Sequence, residues 1–181
     1  KILKENSLIL DIGSNDGTLL SGYDKFAPTK VGVEPAKNLA KYYKNKKNNL
    51  INDFFNFKIA KKIKKKFGLA KVITATNVFP HLQKLNEFGK SVNSLLDKNG
   101  ILLIEAHYLG NLIKDTAFDT IYHEHCSYWS VSSVKKFCDL NNLELFKVDK
   151  LPIHHGQIRC WIRLKGSKKI HKSVTNLMNL E

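Results

Sequence analysis

No run of eighteen or more apolar residues occurs in the 181-residue sequence, which argues against a membrane-spanning helix. The opening residues also lack the basic-then-apolar pattern of a signal peptide. Cysteine is scarce: Cys126, Cys138 and Cys160 are widely spaced, odd in number and without a Cys-x-x-Cys pair. That spacing indicates neither a zinc ribbon nor a disulfide framework, and a reducing cytoplasm is the expected setting. Acidic residues are few as well, 16 against 30 Lys plus Arg, leaving a net charge of +14 that raises nucleic acid as a partner. The densest lysine run weighs against that idea. Across residues 58–71, Ile59, Ile63 and Phe67 recur every four positions, the spacing of one buried helical stripe, so the lysines fall on its solvated side.

What remains is an ordinary globular composition, 43% hydrophobic and 25% charged, in a chain of one-domain length. No repeat or low-complexity linker interrupts it. The first residue is Lys1 rather than Met, and Glu181 falls in a segment that reads as helix, so a piece of a longer protein is expected.

Strand and helix signals alternate. Ser7–Ile12 reads as a buried strand, Thr18–Phe26 as a helix stopped by Pro28, and Lys30–Glu34 as a second strand with Pro35 opening the next helix. Asn49–Ile51 is a short third strand, followed by the lysine-rich helix. Ala70–Ala75 forms a fourth strand and Leu85–Leu96 a helix with Phe88, Val92 and Leu95 on one side. Gly100–Glu105 is a fifth strand after a Lys-Asn-Gly turn. His107–Tyr128 is a long irregular segment of the kind that is usually functional. Val131–Asn141 reads as a helix capped by Ser130 or Ser132, and Leu143–Val148 and Gln157–Leu164 as strands. Five β/α alternations imply an α/β fold, a mostly parallel Rossmann-like sheet with helices on both faces. Two final strands with no helix between them imply an antiparallel hairpin at one edge, the ending of a class I methyltransferase sheet rather than a plain dinucleotide-binding one.

The turn after the first strand, Asp11-Ile-Gly-Ser-Asn-Asp-Gly-Thr18, does not match the phosphate-binding Gly-x-Gly-x-x-Gly fingerprint. Gly13 and Gly17 allow a tight turn close to a ligand, with Asn15 between them, while Asp11 and Asp16 disfavour a pyrophosphate and suit a cationic, phosphate-free ligand. Glu34 ends the second strand, where a carboxylate can accept both ribose hydroxyls of a nucleoside. Asp53 and Phe54, just past the third strand, offer a polar group and an aromatic wall for adenine. S-adenosylmethionine, with its sulfonium and amino groups, fits this set.

At the other end of the chain of inference stands Tyr122-His-Glu-His125, flanked by aromatics. Such a run is a natural acid/base device, and equally a metal site or a group of surface polar side chains. Neither His123 nor His125 belongs to a further His/Asp set with ligand spacing, which weighs against a metal.

Taken together, Asp11 to Leu20, Gly32-Val-Glu-Pro35, Asn77-Val-x-x-His81 and Tyr122 to His125 resemble the sugar C-methyltransferases of deoxysugar biosynthesis. The resemblance covers roughly residues 7–164. It implies an S-adenosylmethionine-dependent enzyme that methylates a carbon of a nucleotide-linked 4-keto-deoxyhexose, with residues 1–165 as methyltransferase core and 166–181 as the start of a further C-terminal segment. It also implies an N-terminal four-cysteine zinc-binding domain and a C-terminal domain outside this stretch. Methylation next to a ketone needs a base, a donor to the enolate oxygen and an in-line methyl. By resemblance His125 is the base, Glu124 orients it or tunes its pKa, Tyr122 donates to the keto oxygen and His81 is a further active-site histidine. Pro35 and Asn77 join the cofactor contacts. His123, His154 and Arg159 are candidate substrate contacts, though period-two facing turns His123 away and Arg159 has acidic neighbours to pair with. In the turn Pro152–Arg159, His155 and Gln157 stand where the family usually has Gly and Ser, a departure that bears on which sugar is accepted. Competing readings are an O- or N-methyltransferase of another small molecule or of RNA, and a non-catalytic nucleoside-binding module.

Overall fold

Strand β1 (Leu8–Ile12) is buried along its whole length, so its side chains supply apolar surface to both faces of a sheet. The computed structural model describes residue 3 and residues 7–26, 29–43, 48–153, 155–166 and 169–181. Six further strands join β1: β2 (Thr29–Val33), β3 (Asn49–Ile51), β4 (Ala70–Thr76), β5 (Leu96–His107), β6 (Leu143–Leu151) and β7 (Gln157–Leu164). The spatial order is β3-β2-β1-β4-β5-β7-β6. The first five strands run parallel, and β7 is antiparallel to both neighbours, β5 and β6. This is the expected α/β sheet with its antiparallel hairpin at one edge.

One face carries Leu8, Leu10, Ile73, Leu102, Ile104, Ile158 and Ile162 in a single large core. Helices α2 (Phe57–Phe67), α3 (Leu85–Leu95), α5 (Val131–Leu140) and α6 (Lys172–Met178) cover it. Helix α2 sits as its periodicity predicts. Ile59 and Ile63 are buried and the lysines face outward, while Asn56 caps it by accepting from the Ile59 N–H at 3.0 Å. Ser130 and Ser133 form a capping box at the start of α5. Helix α6 joins the same core through Val174 and Leu177, and the Glu181 carboxylate accepts from the N–H groups of Val131 and Ser132. The opposite face is thinner, with Ile9, Leu20, Tyr43 and Val72 as a second cluster.

Four local readings change. Helix α1 spans only Thr18–Ser21, because residues from Gly22 onward close tight i→i+3 turns instead of α-helical ones, as from Tyr23 N–H to the Leu20 carbonyl. Pro28, expected to stop that helix, lies outside the described residues. After Pro35 the chain forms a 3-10 helix at Lys37–Tyr43. The Lys-Asn-Gly turn is absorbed into β5 as an irregularity, where pairing jumps from Ala70–Leu96 to Val72–Ile101. The long 107–128 segment contains helix α4 (Leu109–Lys114) and a 3-10 turn at Phe118–Thr120.

Candidate active site

The parallel strands β1, β2, β4 and β5 all end on one edge, and β7, running the other way, begins there. Open α/β sheets bind ligands at this edge. It brings together Asp11, Glu34, Asn77, His107 and Gln157.

At the β1 end the chain turns through positive φ at Gly13 (67°), Asn15 (49°) and Gly17 (77°). A Cβ on Gly13 would lie 2.4 Å from Val78, so this glycine also admits the loop after β4. Glu34 is buried and clamps the turn: one carboxylate oxygen accepts from Asn15 N–H at 3.0 Å and the other from Ala36 N–H at 2.9 Å. Asp11, 4% exposed, accepts from the Thr74 hydroxyl at 2.6 Å. Burial pushes its carboxyl up to about 7, the Thr74 hydrogen bond opposes this, and the Glu34 charge adds to it. Asp16 is tied to Thr18, accepting from its N–H at 3.0 Å and its hydroxyl at 2.8 Å. Pro35 is half-buried behind Glu34. Asp53 accepts from Phe54 N–H, and the Phe54 ring is 72% exposed. A loop of carboxylates and glycines without Lys or Arg, beside an uncovered aromatic ring, fits a cationic nucleoside and not a diphosphate.

Beyond β4 and β5 lies a cleft of about 390 Å³ lined by Asn77, His81, His107, Asp119, Thr120, Tyr122, His125, His155 and Gln157. His125 is held at both ring nitrogens. Nδ1 is 2.8 Å from the Thr120 carbonyl, which can only accept, so Nδ1 carries a hydrogen and in the neutral ring Nε2 has the lone pair. The Tyr122 hydroxyl, 2.9 Å away, donates to that lone pair. The His81 ring lies 4.9 Å from the His125 ring and donates through Nδ1 to the Glu124 carbonyl at 2.8 Å. The loop is thereby tied to the turn after β4.

Several expected residues stand elsewhere. The Glu124 side chain points to solvent near His123 and does not orient His125; the Thr120 carbonyl has that position. The His123 side chain is 91% exposed and turned away, as its facing suggested. Arg159 pairs with Glu105 on the neighbouring strand and does not line the cleft. His154 lies outside the described residues. Among those residues no three His, Cys, Asp or Glu side chains converge as a metal site. Sequence reasoning overlooked His107, whose ring is 5.5 Å from that of His125, and Asp119. His107 was within reach as the last residue of β5, at the ligand-binding edge. The Thr120 contact was not, because it is made by backbone.

Comparison with known proteins gives the chain a family. A family model described as a methyltransferase domain matches residues 1–148. The chain belongs to the methyltransferase-domain family. It is similar to the C-methyltransferase NovU of Streptomyces niveus, 32% identical over 156 residues, covering 86% of this chain and 37% of that protein. A ubiquinone biosynthesis O-methyltransferase of Pelagibacter ubique is 29% identical over 164 residues, covering 80% of this chain and 65% of that one. The chain thus spans between about a third and two thirds of these curated relatives. A solved S-adenosylmethionine-dependent methyltransferase from Anabaena variabilis superposes with a TM-score of 0.69 over 90% of this chain and 79% of its own, at 15% identity. The fold is that of class I methyltransferases. Among the described residues, no helix is long and apolar enough to cross a membrane.

Proposed function

We propose that this chain is the catalytic core of an S-adenosylmethionine-dependent methyltransferase that transfers the methyl group to carbon, on a nucleotide-linked keto-deoxysugar, through an enolate, in a reducing cytoplasm. The observation that carries this reading is the Thr120–His125–Tyr122 chain of hydrogen bonds in the cleft. The name of the Streptomyces relative supports carbon as the acceptor atom. Asp11, Gly13, Asn15, Asp16, Gly17, Glu34, Pro35, Asp53, Phe54 and Asn77 would hold the cofactor. When bound it supplies an electrophilic methyl group. Flanking domains, a zinc-binding one before this stretch and another after it, would complete the sugar-nucleotide site.

The hydrogen bonds suggest the sequence of proton movements. The Thr120 carbonyl keeps His125 in the tautomer whose basic Nε2 faces the cleft. An entering ketone takes over the Tyr122 hydroxyl as its hydrogen-bond donor, which uncovers Nε2. His125 then removes the proton from the carbon beside the carbonyl. The C–H bond electrons form the carbon–carbon double bond as the carbonyl π electrons move onto the ketone oxygen, where Tyr122 stabilises the developing charge. The enolate carbon is thus made nucleophilic toward the methyl, and the imidazolium of His125 returns its proton to water. His81, with Nδ1 committed to Glu124, offers Nε2 as an acceptor to a hydroxyl of the sugar.

A second reading has one observation behind it. An apolar pocket of about 250 Å³, formed by Leu112, Ile113, Phe118, Ile121 and Tyr128, adjoins the cleft at Thr120. It suits an acceptor with a non-polar substituent, methylated on oxygen as the name of the Pelagibacter relative describes. Incubation with methyl-carbon-13 cofactor and a thymidine diphosphate-linked keto-deoxyhexose separates the two by NMR. A carbon-bound methyl supports the first reading; an oxygen-bound methyl, or no transfer, overturns it.

A further inference from the structure

Gln157 is 1% exposed and lies at the wall of the cleft. Its side-chain Nε2 donates to Asn77 Oδ1 at 2.7 Å, but its Oε1 is buried without a hydrogen-bond partner among the described residues. Buried polar atoms are nearly always satisfied, so an unsatisfied acceptor at a ligand cleft marks the place of a ligand donor. Next to it the backbone is held in an unfavourable shape. His155 has φ of 57°, a left-handed conformation that side-chain-bearing residues seldom adopt. Contacts on either side fix it there. Asn111 Nδ2 donates to the His155 carbonyl at 3.2 Å, and Tyr108 N–H donates to the Gly156 carbonyl at 3.1 Å. This conformation sets the imidazole at the cleft, 3.8 Å from the Asp119 carboxylate on the turn that also supplies Thr120. Strain of this kind persists where the surroundings over-determine it, commonly at ligand clamps.

We propose that the turn into β7 reads the acceptor: Gln157 accepts a hydrogen bond from a hydroxyl beside the reacting carbon, while His155, braced by Asp119, closes over the ring. This rests on the cleft being the acceptor site. The Gln157 amide is well placed for the task, because its hydrogen bond to Asn77 holds the side chain at the wall of the cleft. A site built to bind a hydroxyl discriminates strongly against an analogue lacking it, since the buried acceptor is then left unpaired. His155 contributes closure and not hydroxyl recognition, so the two residues differ in what they discriminate.

The test is calorimetric binding, with S-adenosylhomocysteine present. The probes are thymidine diphosphate-linked 4-keto-6-deoxyglucose and its analogue lacking the ring hydroxyls near the ketone. Gln157→Met is expected to weaken the hydroxylated probe by about tenfold or more and to leave the deoxy probe nearly unchanged. His155→Gly is expected to weaken both probes alike by a few-fold, with folding stability equal to or above wild type, since glycine takes this φ freely. Equal weakening of both probes by Gln157→Met, or no weakening, overturns the hydroxyl assignment. Unchanged affinity in His155→Gly overturns the closure role. Gln157→Asn, which retracts the amide without removing it, gives the same discrimination should the Met variant fail to fold. Wild-type protein that binds neither probe overturns the keto-sugar reading itself, a result distinct from any failure of the variants.

Discussion

Replacing Asp11 by Asn separates stability from cofactor binding in opposite directions. The Asp11 carboxyl is buried at the end of β1, and its pKa rises from an ordinary 3.8 to about 7. At about 1.4 kcal/mol per pH unit, the ionised carboxylate costs the folded state up to about 4 kcal/mol. Local relaxation and water entry bring the expected value nearer about 2 kcal/mol. The sign follows from proton binding. Between 3.8 and about 7 the folded protein holds a proton that the unfolded chain has released. This group therefore lowers stability progressively as pH rises through that window, and its contribution is level on either side. Asparagine cannot ionise, and its side-chain oxygen can still accept from Thr74. Urea unfolding without cofactor, at about pH 5 and about pH 8, should show Asp11→Asn gaining on wild type as pH rises, by about 2 kcal/mol at the upper value. The same variant should bind S-adenosylmethionine more weakly, having lost a carboxylate from a site suited to a cation. A stability difference that does not change with pH, or a loss of stability at about pH 8, would refute the reasoning.

Other perturbations give equally specific outcomes. Phe54→Ala removes a ring that is 72% exposed, so unfolding stability should stay within about 0.5 kcal/mol while calorimetric cofactor affinity falls several-fold. Gly89→Ala in α3 would put a Cβ 2.2 Å from the buried Asn141 side chain, and urea unfolding should show a loss of about 1–3 kcal/mol despite the better helix propensity of alanine. Ser130→Ala removes the cap of α5 and should cost about 1 kcal/mol in the same assay.

The sheet was legible because its cues were local and repeated. β3 and β7 fall at the residues their apolar runs indicate, and the every-fourth-residue stripe places α2. The hairpin followed from two strands with no helix between them. The shortness of α1 was not legible, because Leu19, Leu20 and Phe26 continue an apolar pattern that says nothing about tight i→i+3 closure past Gly22. At the cleft, Asn77, His81, Tyr122 and His125 meet although the chain separates them by up to 48 residues. The family resemblance suggested Glu124 as the partner of His125, but a bent loop turns neighbouring side chains apart and presents a backbone carbonyl instead. Such contacts carry no side-chain signature. Nor does the positive φ at His155, which appears only when the turn is pinned by Asn111 and Tyr108.

The most direct test of the enolisation account is deuterium exchange at the carbon beside the ketone. The keto-sugar nucleotide would be incubated in heavy water with enzyme and S-adenosylhomocysteine, so that no methyl can be transferred. Wild-type protein should exchange this hydrogen, and His125→Ala should slow the exchange by about a hundredfold or more. Failure of the wild type to exchange it, or exchange as fast in His125→Ala as in wild type, would contradict the account.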